Sequence, residues 1–145
     1  MANGRQHAEA LQLAAVPVGM LAYVVSNDVE TAVAVAIGVL VGIIIDPDLD
    51  MVQPTHSEWQ MRQALGIIGK VWQWYWLPYA WLVPHRSWIS HKPIIGTAIR
   101  VSYLLILPLV FVPTLAQLVA NKYFFVGLIG LAAADIIHWF MDGLP

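Results

Sequence analysis

The sequence predicts an all-α, polytopic membrane protein of about four transmembrane helices plus an interfacial Trp-rich segment. Three observations carry this. Hydrophobic residues make up 59% of the chain and charged residues 11%, with a mean hydropathy of +0.69, whereas a soluble domain carries about 25% charged residues. Apolar runs recur at lengths near the ~20 residues that cross a bilayer. The breaks between runs hold acids, prolines and turn-forming residues. The 145 residues suit one transmembrane domain over residues 1–145. A formal charge of −2 lacks the basic excess that phosphate-backbone binding needs, so nucleic acid is excluded as a partner. With no cysteine, disulfides, thiolate metal sites and cysteine nucleophiles are excluded as well.

Residues 10–25 form the first apolar run, after a polar start and before the acidic Ser26 to Glu30 turn. The leading segment pairs one Arg with a Glu and leads into no cleavage site, so the helix is expected to stay in the mature protein rather than act as a signal peptide. Residues 31–45 form the second run, which stops at Asp46-Pro47-Asp48-Leu49-Asp50, as a proline with three acids at a helix end implies. Both runs are short, at roughly 22 Å of helical rise. Either they extend into the flanking polar residues or the acids lie below headgroup level. Residues 53–62 are polar and loop-like. Residues 63–84 carry Trp72, Trp74, Tyr75, Trp76, Tyr79 and Trp81, side chains that gather at membrane interfaces. Lys70 and Pro78 divide this stretch into pieces too short to span, which predicts an interfacial or re-entrant segment. Residues 93–113 form the third span, with Arg100 placed to snorkel, and residues 123–141 form the fourth.

Four crossings put both termini and residues 46–92 on one side of the membrane. Six of the seven basic residues, Arg5, Arg62, Lys70, Arg86, Lys92 and Arg100, then share that side, with Lys122 alone opposite. The positive-inside rule makes it cytoplasmic.

Candidate chemistry gathers at the same ends. His7, His85, His91 and His138 fall there, and so do Asp46, Asp48, Asp50, Asp135 and Asp142. An ionisable group at the edge of the hydrocarbon costs about 3 kcal/mol on insertion scales, so such groups face the bundle interior and have partners. In the absence of Cys, imidazole plus carboxylate is a ligand set for zinc, manganese or iron. Asp135, His138 and Asp142 stand at i, i+3 and i+7, on one helical stripe. A histidine neutralised by acids in a polar bundle core would show the same stripe. Asp46, Asp48 and Asp50 can converge if the backbone there is extended; taken alone, the run reads as a solvated helix end, and Arg86 could offset its charge without a metal. His85 and His91 have a loop spacing that is weak by itself. Ser90 fits a helix cap near Pro93. His56 lies in the polar loop and is set aside.

The run Pro84-His85-Arg86-Ser87-Trp88-Ile89-Ser90-His91-Lys92-Pro93-Ile94-Ile95-Gly96-Thr97, together with Asp46-Pro47-Asp48-Leu49-Asp50, resembles a bacterial family of small membrane proteins predicted to bind metal. That family is related to membrane-bound metal-dependent hydrolases of the LexA-regulated inner-membrane type. The likeness covers nearly the whole chain, because the early His7 and the final His138-x3-Asp142 are shared features. More distantly, the wider class is similar to zinc-dependent phospholipase C and single-strand-specific zinc nucleases, which implies a multinuclear metal site acting on phosphoesters. This chain departs from many members in having Ser-Trp-Ile-Ser-His where they have Gly-x-Thr-His.

Two functional expectations follow. The first is a membrane-embedded hydrolase of phospholipids or other phosphoesters that uses divalent metal, zinc first, with manganese or iron as alternatives. Its ligands are His7, Asp48, Asp50, His85, His91, His138 and Asp142. Asp46 or Asp135 orients ligands or acts as general base, and Arg86 neutralises phosphate charge. The second is a non-enzymatic membrane subunit, in a larger complex or a homo-oligomer, whose polar cluster or structural metal docks a partner. A metal transporter is disfavoured, because the outer halves of the spans offer no polar path. Membrane lipids are the expected surroundings, in a bacterial inner or thylakoid-type membrane with both termini cytoplasmic.

Overall fold

A computed structural model describes residues 3–143; the outermost two positions at each end of the expected domain lie outside the described residues. Those residues form α1 (Gly4–Ser26), α2 (Val29–Val41), a 3-10 turn (Pro47–Asp50), α3 (His56–Leu65), α4 (Ile67–Leu82), α5 (Trp88–His91), α6 (Ile95–Phe111), α7 (Leu115–Val119) and α8 (Lys122–Met141), with no strand among them. The all-α expectation therefore holds. Two helices, α1 and α8, are long and apolar enough to cross a membrane by length and composition, whereas α2 and α6 are shorter apolar helices.

Local chemistry sets the ends of the long helices. A capping box joins Asn3 and Gln6 at the start of α1, and Asn27 closes that helix at φ 51°, a left-handed cap that Asn tolerates. Asp28 then caps α2 by accepting from the Glu30 N–H. The α1–α2 connection is thus two residues long, and the helices return antiparallel, with Gly19 against Ala32 and Ala36 and Leu11 beside Gly42. α8 runs parallel to α2 at very close range. A Cβ on Gly38 would strike the Gly127 carbonyl, and one on Gly130 would strike the Val35 carbonyl. Gly38 and Gly42 form a small-xxx-small pair of the kind that lets apolar helices pack by backbone contact. Gly130→Val should force α8 off α2, with a loss of at least the 1–3 kcal/mol typical of overpacking and a lowered midpoint in thermal unfolding.

Several expectations are corrected here. The second run does not stay helical to Ile45, because α2 ends at Val41 and residues 42–45 form turns. The segment from Pro47 to Asp50 is a 3-10 turn, not extended chain. Residues 53–62 are a loop only as far as Thr55: Thr55 and Glu58 form a capping box that starts α3 at His56, a T-x-x-E signature present in the sequence. Pro78 does not break the aromatic segment, since α4 runs through it unbroken. Arg100 does not snorkel and is wholly buried.

Polarity is distributed inside out. The buried set includes His7, Asp50, Ser90, His91, Thr97, Arg100, Asp135 and His138, while Leu13, Val16, Val24, Phe111, Ile129 and Phe140 are exposed. Apolar surface of this extent is what lipid or a partner covers. α4 lies against α6 through an aromatic cluster, in which the Tyr75 hydroxyl donates to the Tyr103 and Leu104 carbonyls and the Tyr103 hydroxyl donates to the Tyr75 carbonyl.

Candidate metal centre

The parallel run of α2 and α8 and the antiparallel return of α1 bring three chain segments to one end of the bundle. These are the start of α1 with His7, the 3-10 turn after α2 with Asp48 and Asp50, and the end of α8 with His138 and Asp142. The loop after α4 brings His85, and α5 brings His91. All seven residues expected as ligands meet there. They fall into three groups whose ligand atoms lie within 4.8 Å of one another: His7, His138 and Asp142; Asp48, His91 and His138; Asp50, His85 and His91. His138 belongs to the first two groups and His91 to the last two. The centre is therefore a connected row.

Asp50 anchors one end of the row. Its Oδ1 lies 2.6 Å from His85 Nδ1, and its Oδ2 accepts the Arg86 backbone N–H at 3.1 Å and stands 3.5 Å from His91 Nδ1. The opposite nitrogen of His91, Nε2, stands 3.7 Å from Asp48 Oδ1, and that oxygen is 3.9 Å from His138 Nε2. At the far end Asp142 Oδ1 is 3.2 Å from His7 Nε2, its Oδ2 is 3.6 Å from His138 Nε2, and the His7 and His138 rings stack with centroids 3.8 Å apart.

These distances test whether the residues fit a cation. His91 Nε2 and His138 Nε2 are buried and have no hydrogen-bond partner, although such groups ordinarily find one. Both face Asp48 Oδ1 at separations too long for a hydrogen bond. Two atoms about 2.1 Å from a shared tetrahedral cation stand about 3.4 Å apart, so the spacing and the donor set fit a divalent metal.

Electrostatics agrees with the geometry. Burial alone would depress the His91 imidazolium, but carboxylates on both of its nitrogens outweigh this and push it up to about 9. Burial works to raise Asp48 and Asp50, and the His91 contact holds each below its ordinary value. Asp46 is buried beside Asp48, which pushes it up to about 8, with the Ser57 hydroxyl, donating to Oδ2 at 2.8 Å, as a partial offset. A raised imidazole stabilises the fold fully below its unfolded value of about 6.5 and loses that contribution as the pH rises through about 9. The depressed acids stabilise above the ordinary carboxylate range and lose their contribution as the pH falls. Metal binding must displace the His91 proton. Zinc affinity, measured by competition with a chromophoric chelator, should accordingly rise with pH and level off near pH 9; a flat profile from pH 6 to 9 would contradict the arrangement.

The remaining expected residues take other places. Asp135 lies below the row, its Oδ2 accepting from Arg100 Nη2 and from the Thr97 hydroxyl. It does not share a ligand group with His138 and Asp142, so the stripe divides between two tasks. Arg100 Nη1 donates to the Ser90 carbonyl at 2.8 Å, and Ser90 Oγ is 2.9 Å from His91 Nδ1. Ser90 is not the helix cap expected of it: it lies inside α5, the residue before α6 is Ile94, and its hydroxyl is turned to His91 instead. Arg86 meets the acids through its backbone N–H, not its guanidinium, at φ 60°. His56, set aside in the sequence, lines a small cleft of about 20 Å³ with His7, Asp46, Asp48 and His138, and its Nε2 is buried without a partner. The Thr55-to-Glu58 capping box was the signal that could have placed it there.

The fold and the centre define an all-helical metal-binding protein. The chain belongs to the family of uncharacterized metal-binding proteins (DUF2227), which matches over residues 2–126. That span takes in every expected ligand except His138 and Asp142, which the end of α8 adds. Neither the curated proteins nor the solved structures contain a match to the chain.

Proposed function

We propose that this protein is a membrane-embedded, metal-dependent hydrolase of phosphoesters. The observation that carries the reading is the row of three ligand groups joined through His91 and His138, which suits more than one cation. Divalent ions held there would polarise a phosphoryl oxygen and acidify a water. His85 and Asp48 are partly open to solvent, which leaves the row approachable from outside. Asp46, carrying a proton near neutral pH, is assigned proton transfer. Asp135 is assigned positioning, through Arg100 and the Ser90 carbonyl. Zinc is the metal proposed first.

Phosphoester cleavage by the purified protein in detergent should require added metal. It should fall by several orders of magnitude in Asp50→Asn, because Asp50 orients His85, His91 and the Arg86 backbone together. Metal-loaded protein with no turnover on soluble or lipid phosphoesters would instead favour a membrane subunit with a structural metal.

The same proposal has α1, α2, α6 and α8 crossing the membrane with the metal centre on the cytoplasmic side. The exposed apolar faces and the six-to-one division of basic residues support it. Single cysteines placed at Ser26 and Gln60 should react with an impermeant reagent from opposite sides; labelling from one side would overturn this topology.

A further inference from the structure

Two cavities follow one another in a seam along α8, the first between its end and the residues in and around α5, the second between α8 and α6. The upper one, about 150 Å³, is lined by Arg86, Ser87, Trp88, His91, Lys92 and Trp139. It opens directly onto a ligand shared by two groups of the metal centre and holds two cationic side chains and no carboxylate. The lower one, about 630 Å³, is lined almost wholly by apolar side chains, among them Ala98, Val101, Ile129, Ala132 and Ile136. Its volume is within the range of ligand sites. Trp139 and Ile136 are one helical turn apart on α8, while Lys92 and Ile94 are two residues apart, so the basic pocket heads the apolar groove.

The backbone between the two cavities is strained. Ile94 has φ 71° and ψ −56°, and the Ile95 N–H donates to the Pro93 carbonyl at 2.9 Å, which makes a γ-turn of the rare positive-φ kind. A β-branched residue there is a genuine outlier, of the sort that surrounding structure holds in place at a cost of order 1–3 kcal/mol. Arg86, at the other rim of the basic pocket, is also held at positive φ, with its N–H tied to Asp50.

We infer that this seam seats one anionic phospholipid, its phosphate in the basic pocket beside His91 and an acyl chain in the groove between α6 and α8. Basic pockets between membrane helices suit anionic headgroups. The charge lies at one end of the seam only, which fits a molecule with a phosphate at one end and a hydrocarbon tail at the other. The inference deepens the hydrolase reading by naming its substrate class, but seating is measured without turnover.

The test uses the metal-loaded full chain in neutral maltoside micelles, titrated with fluorescent phosphatidylglycerol and, separately, with soluble glycerol phosphate. Arg86→Gln with Lys92→Gln should weaken binding of both probes about tenfold, through loss of charge-assisted hydrogen bonds. Ala98→Trp, at an exposed position facing the groove, should weaken the lipid and spare glycerol phosphate, and Ile136→Trp serves if the first variant misfolds. Helical circular dichroism and metal content should match wild type in each. Lipid binding unchanged in the charge variant or in both groove variants would overturn the seat, and the latter result with weakened glycerol phosphate would make this a site for free phosphate. A lipid that seats as expected but is never cleaved would remove the hydrolase and leave the seat. Cleavage that continues at full rate in all these variants would do the reverse.

Discussion

His91→Ala should empty most of the metal centre. His91 presents Nδ1 to Asp50 and Nε2 to Asp48, so its loss breaks two of the three ligand groups, and His138→Ala breaks two in the same way. Removing an orienting partner of a ligand already weakens metal binding about 10–100-fold, so deleting a shared ligand should exceed that. Mass-spectrometric metal analysis of purified variants should show a much larger loss for His91→Ala and His138→Ala than for His7→Ala or His85→Ala, each of which touches one group. Equal losses in all four would mean independent sites, not a connected row. Metal-free wild-type protein with an intact fold would remove the centre altogether.

Arg100→Met should be the most destabilising single substitution near the site. The guanidinium is wholly buried, and the substitution would leave the Asp135 carboxylate with only the Thr97 hydroxyl. Breaking a buried pair from one side costs roughly 3–5 kcal/mol, whereas replacing both partners with apolar groups is often neutral. Arg100→Met with Asp135→Leu should therefore regain most of the lost stability in denaturant unfolding. The double variant should still bind metal more weakly than wild type, because the Ser90 carbonyl has lost its donor and Ser90 positions His91. Full recovery of both stability and metal affinity would show that the pair supports the bundle and not the ligand.

Much of the site was legible because ionisable side chains are costly near hydrocarbon and so stand out in an apolar sequence. The seven residues from His7 to Asp142 that meet at one end of the bundle stand out by side-chain type and by the helix end that each occupies. Their grouping was not legible. Whether Asp48 faces His91, His138 or solvent depends on where the 3-10 turn of residues 47–50 sits after α2 and on the approach of α2 to α8. Polarity alone marks residues 53–62 as a loop and hides His56, whereas the capping box from Thr55 to Glu58 starts the helix that carries His56 to the cleft beside His7. Asp135 was grouped with His138 because helical periodicity reports only a shared stripe; a partner on α6, 35 residues earlier, took it elsewhere.

What the sequence determined by itself was the all-helical architecture, the positions of the principal helices, and the presence of a His/Asp centre at their common end. Hydrophobic periodicity, caps and composition act over a few residues and can be read along the chain. The tertiary structure decided which nitrogen meets which oxygen, that Arg100 turns inward to Asp135, that the glycines of α2 and α8 let two backbones touch, and that a basic pocket heads an apolar groove beside His91. Those outcomes depend on contacts between residues far apart in sequence, where ångström-scale packing between helices sets the chemistry.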